Sequence, residues 1–177
     1  LTWNETGKMI DTKTPTRELS MTVLMTPDMV NFSGNIHGGN ILKLLDQVAY
    51  ACASQYAGSY VVTLSVDKVV FKQPIYVQEL VTFHANVNYV GRTSMEIGVR
   101  VEAKNIKTRE VRHTNSCYFT MVAINDNGKP TAVPKLEIRN RTDQRRFDNA
   151  VLRLNSRLAF DQAQIKDEEE EDNGFNQ

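Results

Sequence analysis

The sequence predicts an α+β fold in which an antiparallel β-sheet packs around one central helix, and three observations lead to this prediction. From about residue 60 to 124, apolar and polar side chains alternate over long strands joined by short turns. This alternation is typical of an antiparallel sheet with one buried face. A helical pattern from about Asn40 to Tyr56 precedes these strands. Since no other segment before the strands could cover the sheet, this helix must form the second layer.

Each element follows from a local pattern. Glu18 to Met25 form a short apolar-rich strand, and the central helix stops at Gly58, a residue suited to a helix C-terminus. A β-branched run begins the next strand, strict alternation marks the following two, and Asp126-Asn-Gly128 closes the last one. These four predicted strand segments cover about residues 60–71, 80–89, 95–104 and 111–124.

The C-terminal part differs in composition from the rest of the chain. Apolar residues recur there at helical spacing and predict an amphipathic helix: Phe147, Val151, Leu154 and Leu158. We therefore expect a flexible leader over residues 1–16, a folded domain over 17–138, this extra C-terminal helix over 139–165 and an acidic disordered tail over 166–177.

Charge is unevenly distributed although its sum is zero. The chain has 177 residues, with 21 Lys and Arg against 21 Asp and Glu. Residues 167–172 hold six of the acids, which leaves a net charge of +6 on the remainder. A mildly basic body suits an anionic small ligand or nucleic acid, and also a merely soluble protein, so charge leaves these classes open.

Composition and missing motifs exclude several other classes. A hydrophobic content of 41% and a charged content of 24% exclude wholesale disorder, and the longest apolar run is too short to span a membrane. Cys52 and Cys117 lie in apolar stretches and are expected to be buried free thiols of a cytoplasmic protein. No Cys/His cluster has metal-ligand spacing, so no metal is expected. The absence of a Gly-x-Ser-x-Gly elbow argues against an α/β-hydrolase esterase.

Asp46 is the most informative residue of the predicted central helix. This helix is apolar nearly all round, which predicts burial on more than one side. Asp46 lies in the third turn, too far from the N-terminus to cap it. A carboxylate in such surroundings must be paired, hydrogen-bonded or kept for chemistry. The plain alternative is that it pairs with Lys43 or faces solvent.

The pair Gly38-Gly39 stands where the first free backbone N–H groups of the helix are expected. Glycines allow a ligand to approach the backbone closely, and helix N-termini stabilise negative charge. Asp46 follows Gly39 by seven residues and therefore lies on the same helix face. An ester or thioester carbonyl bound here would find an oxyanion hole at Gly38 and Gly39, with a carboxylate nearby to activate water.

These residues resemble a known family. The segment Met25 to Asp46 is similar to the corresponding part of the hotdog-fold acyl-CoA thioesterases of the bacterial YciA and cytosolic acyl-CoA hydrolase type. The resemblance extends over about Arg17 to Leu136 through four further motifs in the expected order: Val62-Thr-Leu-Ser-Val-Asp67, Phe71-Lys-Gln-Pro74, Val90-Gly-Arg-Thr-Ser-Met95 and Phe119-Thr-Met-Val-Ala123. It implies hydrolysis of acyl-CoA to a free fatty acid and coenzyme A.

The resemblance also implies roles for particular residues. Asp46 matches the family's aspartate, a general base or, less readily, a nucleophile, and Asn31 matches the asparagine that orients water or the carbonyl. In this family the two come from facing subunits, so the dimer is the minimal active unit and a hexamer, as a trimer of dimers, is expected. The candidates for binding the coenzyme A phosphates are Arg92, Thr93 and Ser94, whose guanidinium and hydroxyl groups suit phosphate oxygens. No cofactor is implied, since coenzyme A is part of the substrate.

Some alternatives stay open at this point. Asn35 either positions the substrate or caps its loop, and His37 before the helix is expected to pack or cap. The same fold could serve as a non-catalytic acyl-CoA-binding module, although such a module would not need Asp46. A nucleic-acid-binding role for the arginine-rich C-terminal helix is disfavoured, because no aromatic residues alternate with the arginines.

Overall fold

A computed structural model describes residues 2–3, 9–10, 15–67 and 69–174, with side chains described over 15–67 and 69–164. The chain divides into two compact units, Leu1–Leu136 and Glu137–Gln177. The first unit contains the sheet and the central helix, and the second contains the C-terminal helix.

The first unit confirms the predicted α+β fold. Its strands are β1 (Thr2–Trp3), β2 (Met9–Ile10), β3 (Glu18–Leu24), β4 (Tyr60–Val66), β5 (Glu79–Val90), β6 (Ser94–Asn105) and β7 (Val111–Ile124). Strands β3 to β7 form one antiparallel sheet in the order β3-β5-β6-β7-β4, and β1 pairs with β2 as a separate hairpin. Strands β3 and β4 are therefore the two edges of the sheet. This hairpin lies in the predicted flexible leader, whose other residues up to 14 are outside the described part.

Helix α1 (Gly38–Ala57) crosses one face of the sheet. It begins two residues earlier than the apolar periodicity indicated, because the imidazole of His37 accepts a hydrogen bond from the backbone N–H of Gly39 and caps the helix. Gly58 ends it in the left-handed conformation, with φ of 67°, where glycine carries no steric penalty. A short 3₁₀ turn, Pro27–Met29, precedes α1.

The core lies between α1 and the inner face of the sheet. Helix residues Leu45, Val48 and Ala49 are fully buried against alternate strand residues such as Phe83 and Phe119. Buried residues thus recur every second position in the strands and every three or four positions in the helix, as the sequence pattern predicts. The core therefore fixes which face of α1 turns away from the sheet.

The second unit contains helix α2 (Arg141–Gly174). Asn140 and Asp143 form a reciprocal cap: the Asn140 side chain accepts the Asp143 N–H, and the Asp143 carboxylate accepts the Arg139 N–H. The helix continues past residue 165, the predicted end of this helix, through the acidic run to Gly174. Glutamate is a strong helix former, which accounts for the extension. Within the described chain, neither helix combines the length and the hydropathy needed to cross a membrane.

Candidate active site

Asp46 lies two turns into α1 and is held by a residue of the neighbouring edge strand. The hydroxyl of Thr63 donates a hydrogen bond of 2.7 Å to Oδ1 of Asp46. Thr63 precedes a register irregularity between Thr63 and Ser65 in the pairing of β4 with β7. Irregularities of this kind re-aim side chains at sheet edges, and here the hydroxyl points to the helix. The carboxylate is therefore oriented by a specific partner.

The helix face that carries Asp46 is exposed, contrary to the expectation that α1 is buried on more than one side. Leu42 and Tyr50 lie on this face and are exposed together with Asp46. Only the face with Leu45, Val48 and Ala49 packs on the sheet of the same chain. The exposure of Leu42 and Tyr50 is thus not explained by packing within one chain.

Asn31 holds together the loop that precedes α1. Its side-chain oxygen accepts the backbone N–H groups of Ser33 at 2.9 Å and Asn35 at 3.2 Å, and its own N–H donates to the Asn35 carbonyl at 2.7 Å. The side-chain oxygen is thus occupied, and the side-chain nitrogen has no hydrogen-bond partner within the described ranges. The amide NH₂ of Asn31 is the group left to meet a ligand.

The two glycines at the start of α1 have different surroundings. The N–H of Gly39 donates to Nδ1 of His37 at 2.8 Å, so it is engaged in the helix cap. Gly38 borders a cleft, where a β-carbon would lie 3.6 Å from the ring of Phe71. Of the predicted pair, Gly38 therefore lies where a ligand can approach its backbone, whereas the N–H of Gly39 already bonds His37.

The cleft beside Gly38 has a volume of about 330 Å³. It is lined by Asn31 and Asn35 and by the segment 71–75 between β4 and β5. The fold thus brings Asn31, Asn35 and Gly38 together around one cleft. Asp46 is eight residues further along α1, about 12 Å at the rise of an α-helix, and does not line this cleft.

Of the predicted phosphate-binding residues, Arg92 and Thr93 lie in the turn between β5 and β6, and Ser94 begins β6. The carbonyls of Arg92 and Thr93 accept hydrogen bonds from Val133 and Ala123, which fix the turn and leave the Arg92 side chain exposed. This turn lies at the end of the sheet where α1 ends, whereas the cleft lies at the end where α1 begins. Within one chain, the helix length of about 30 Å separates the two.

Edge strand β4 displays an apolar outer row. Tyr60, Val62, Leu64 and Val66 alternate along it, and Tyr60 and Leu64 are 67% and 68% exposed. Natural proteins rarely leave a long apolar edge strand open, because its backbone groups pair readily with another chain. Together with the exposed face of α1, this strand is a candidate subunit interface.

Thr63 is a candidate site residue that sequence reasoning missed. A threonine within a β-branched run is an ordinary strand residue, so its type carried no signal. Only the fold shows that its hydroxyl meets Asp46. The motif that contains it, residues 62–67, contributes to the family resemblance but assigns Thr63 no role.

Comparisons with known proteins identify the family. The model of the thioesterase superfamily matches residues 33–110. Protein VdlD of Helicobacter pylori is 51% identical over 148 residues, covering 84% of each chain. An uncharacterized acyl-CoA thioester hydrolase of Bacillus subtilis, YkhA, is 31% identical over 127 residues, covering 72% of this chain and 74% of its own.

Solved structures agree with the sequence relatives. A hexameric acyl-CoA thioesterase in its apo form superposes with a TM-score of 0.78 at 36% identity, over 80% of this chain and 91% of its own. The acyl-CoA hydrolase of Staphylococcus aureus, solved with butyryl coenzyme A and coenzyme A, gives a TM-score of 0.75 at 29% identity, over 80% and 87%. The fold is that of the hotdog-fold thioesterases. The chain belongs to the thioesterase superfamily, and its predicted relation to the hotdog-fold acyl-CoA thioesterases is confirmed.

Proposed function

We propose that this protein hydrolyses the thioester of acyl-CoA, with Asp46 as the general base. The observation that carries the proposal is the carboxylate of Asp46, which accepts a hydrogen bond of 2.7 Å from Thr63 on the exposed helix face that also carries Leu42 and Tyr50. Asp46 takes a proton from water as the water oxygen attacks the carbonyl carbon. The carbon–sulfur bond then breaks, and the proton passes to the departing thiolate. The products are a free acid and coenzyme A.

Three residues of the Staphylococcus aureus hydrolase support this assignment. Structures exist of alanine variants of one asparagine, one aspartate and one threonine of that enzyme. Those residues are separated by 15 and 17 positions along its chain. Asn31, Asp46 and Thr63 are separated by the same intervals. In the proposal Asn31 orients the water or the carbonyl through its free NH₂, and Thr63 orients the carboxylate.

The site is proposed to be shared between two subunits. Within one chain, Asn31 lines the cleft, whereas Asp46 lies outside it and bonds Thr63. The exposed apolar residues of β4 and of the outer face of α1 form a surface on which a partner subunit could pack. A two-fold axis pairing β4 with its copy antiparallel would set the cleft end of one sheet beside the opposite end of the other. Hexameric thioesterases among the neighbours support a hexamer, which we propose to be a trimer of dimers.

The same two-fold arrangement gives the β5–β6 turn a role. It would bring Arg92, Thr93 and Ser94 of one subunit toward the partner's cleft, although the two are far apart in one chain. The exposed guanidinium of Arg92 suits a coenzyme A phosphate. Gly38 offers the backbone N–H for the carbonyl oxygen, and Asn35 lines the cleft beside it.

Water is the second substrate in this proposal, so the reaction requires no cofactor. The relatives include cytosolic acyl coenzyme A thioester hydrolases of rat and mouse. They support the proposal that this protein also acts in the cytoplasm.

The experiment is thiol release from a panel of acyl-CoA chain lengths. The wild type should release thiol, and Asp46→Asn should abolish most of the activity, by a factor on the order of 100 to 10,000 for a lost general base. Asp148→Asn is the matched control, since Asp148 is also an exposed helical carboxylate with one hydrogen-bond donor, Gln144 at 2.8 Å. A wild type that binds acyl-CoA without releasing thiol would make the chain a binding module and contradict the proposal.

A further inference from the structure

A largely buried ion pair contacts the segment that lines the cleft and has no part in the chemistry above. Nη2 of Arg112, on β7, donates to both carboxylate oxygens of Glu79, on β5, at 2.6 and 2.8 Å. Glu79 is only 3% exposed. A carboxylate so deeply buried requires such a partner, because an unpaired charge there would be costly.

The ion pair also holds the segment that precedes β5. Nη1 of Arg112 donates to the Gln73 side chain at 3.2 Å and to the Pro74 carbonyl at 3.1 Å. The Tyr76 N–H donates to Glu79 at 3.0 Å, and the Arg112 guanidinium lies 5.6 Å from the centre of the Tyr76 ring. Residues 73–76 are thus held at both ends by one pair of side chains.

This segment in turn holds the loop that presents the candidate site. The Ile75 carbonyl accepts the N–H of Ile36 at 2.9 Å. Ile36 lies between Asn35 and the start of α1 at Gly38. Since residues 73–75 also line the cleft together with Asn31, a displacement of this segment would move the cleft lining directly and through its bond to Ile36.

Stability alone is a weak reason for such a pair. Replacing a buried ion pair by well-packed apolar residues is often neutral or stabilising. What apolar residues could not supply is the planar fork of Arg112, which bonds a carboxylate, an amide and a backbone carbonyl at once.

We propose that Arg112 and Glu79 are positioning residues for the thioesterase reaction, acting through segment 73–76 on Asn31, Asn35 and Gly38. This inference rests on the proposed function. It predicts that removing hydrogen bonds between Arg112 and the segment lowers kcat while the sheet stays folded.

Arg112→Lys is the variant that tests it. A lysine keeps a positive charge beside Glu79 but cannot bond the carboxylate and the segment together. The expected result is a fall in kcat on the order of 100-fold, with KM changed much less, as for a catalytic group displaced by about 1 Å. Arg100→Lys is the matched control, because Arg100 forms an exposed pair with Glu102 at 2.9 Å on the neighbouring strand. It should leave kcat unchanged.

Hydrogen exchange gives a second readout that does not depend on activity. Peptides covering residues 31–38 should exchange faster in Arg112→Lys than in wild type and Arg100→Lys. Should Arg112→Lys fail to fold, Gln73→Ala keeps the ion pair, removes one bond to the segment, and should show the same two effects more weakly.

The two proposals fail in different ways. A folded Arg112→Lys whose kcat and exchange match those of Arg100→Lys overturns the positioning role. A wild type that releases no thiol overturns the proposed function, and the exchange comparison then decides the role of Arg112 by itself.

Discussion

Replacing Thr63 with valine removes one hydroxyl group from the site and keeps the shape of the side chain. The hydroxyl donates to Asp46 at 2.7 Å and lies 3.4 Å from the sulfur of Met121. A valine methyl group fits against the Met121 thioether, so the strand should keep its packing. The substitution therefore tests the hydrogen bond rather than the fold.

The expected magnitude follows from the acceptor of the bond. A hydrogen bond to a charged group contributes about 1.5–3 kcal/mol. At about 1.4 kcal/mol for each factor of ten in rate, loss of the bond should lower kcat/KM by about 10- to 150-fold. The lower end applies if water replaces the hydroxyl, and the upper end applies if a subunit interface excludes water from Asp46.

The assay is acyl-CoA hydrolysis at 25 °C, followed as thiol release. Thr82→Val is the matched control, because the hydroxyls of Thr22 and Thr82 bond each other at 3.0 Å on another part of the sheet. Thermal unfolding of both variants checks that the sheet stays intact. If Thr63→Val keeps kcat/KM within about twofold of the Thr82→Val value, the hydroxyl does not orient the base and the reasoning is refuted.

Three further predictions concern the glycines and the cysteines. Gly98→Ala should destabilise the fold by about 1–3 kcal/mol, seen in thermal unfolding, because a β-carbon there would lie 2.4 Å from the buried side chain of Asn88; unchanged stability would contradict this. Gly38→Ala should fold normally, since its β-carbon makes only ordinary contact, yet lower kcat/KM by narrowing the cleft; full activity would exclude Gly38 from the site. Burial raises the pKa of Cys52 to about 12 and that of Cys117 to about 12, so both stay protonated at pH 8 and should resist a thiol reagent until the protein unfolds; fast labelling of native protein would contradict this.

The elements predicted most accurately are those in which local pattern and tertiary packing agree. Strands β5, β6 and β7 match the alternation within one or two residues, since one face of each is buried against the single helix. Gly58 also ends α1 where expected. The start of α1 could not be predicted from the apolar periodicity, because it depends on the cap that the His37 imidazole provides.

The residues of the candidate site likewise differ in whether the sequence alone could identify them. Asn31 and Asp46 stand out in the sequence by residue type and spacing, and the resemblance gives both a role. Thr63 does not stand out, because only the fold brings its hydroxyl to Asp46. The sequence also does not show that the Gly39 N–H is bonded to the His37 imidazole. The hydrogen bonds from Arg112 to residues 73 and 74 join segments far apart in sequence, so they too are visible only in the fold.

The most direct test of the account is complementation between two inactive variants. Asn31→Ala and Asp46→Ala subunits, unfolded together and refolded as a mixture, should regain thiol release from acyl-CoA to about a quarter of the wild-type rate. Half of the dimers would then be mixed, and each mixed dimer would contain one intact site of two. Each variant refolded alone should stay inactive. A mixture as inactive as its components would contradict a site built by Asn31 of one subunit and Asp46 of the other.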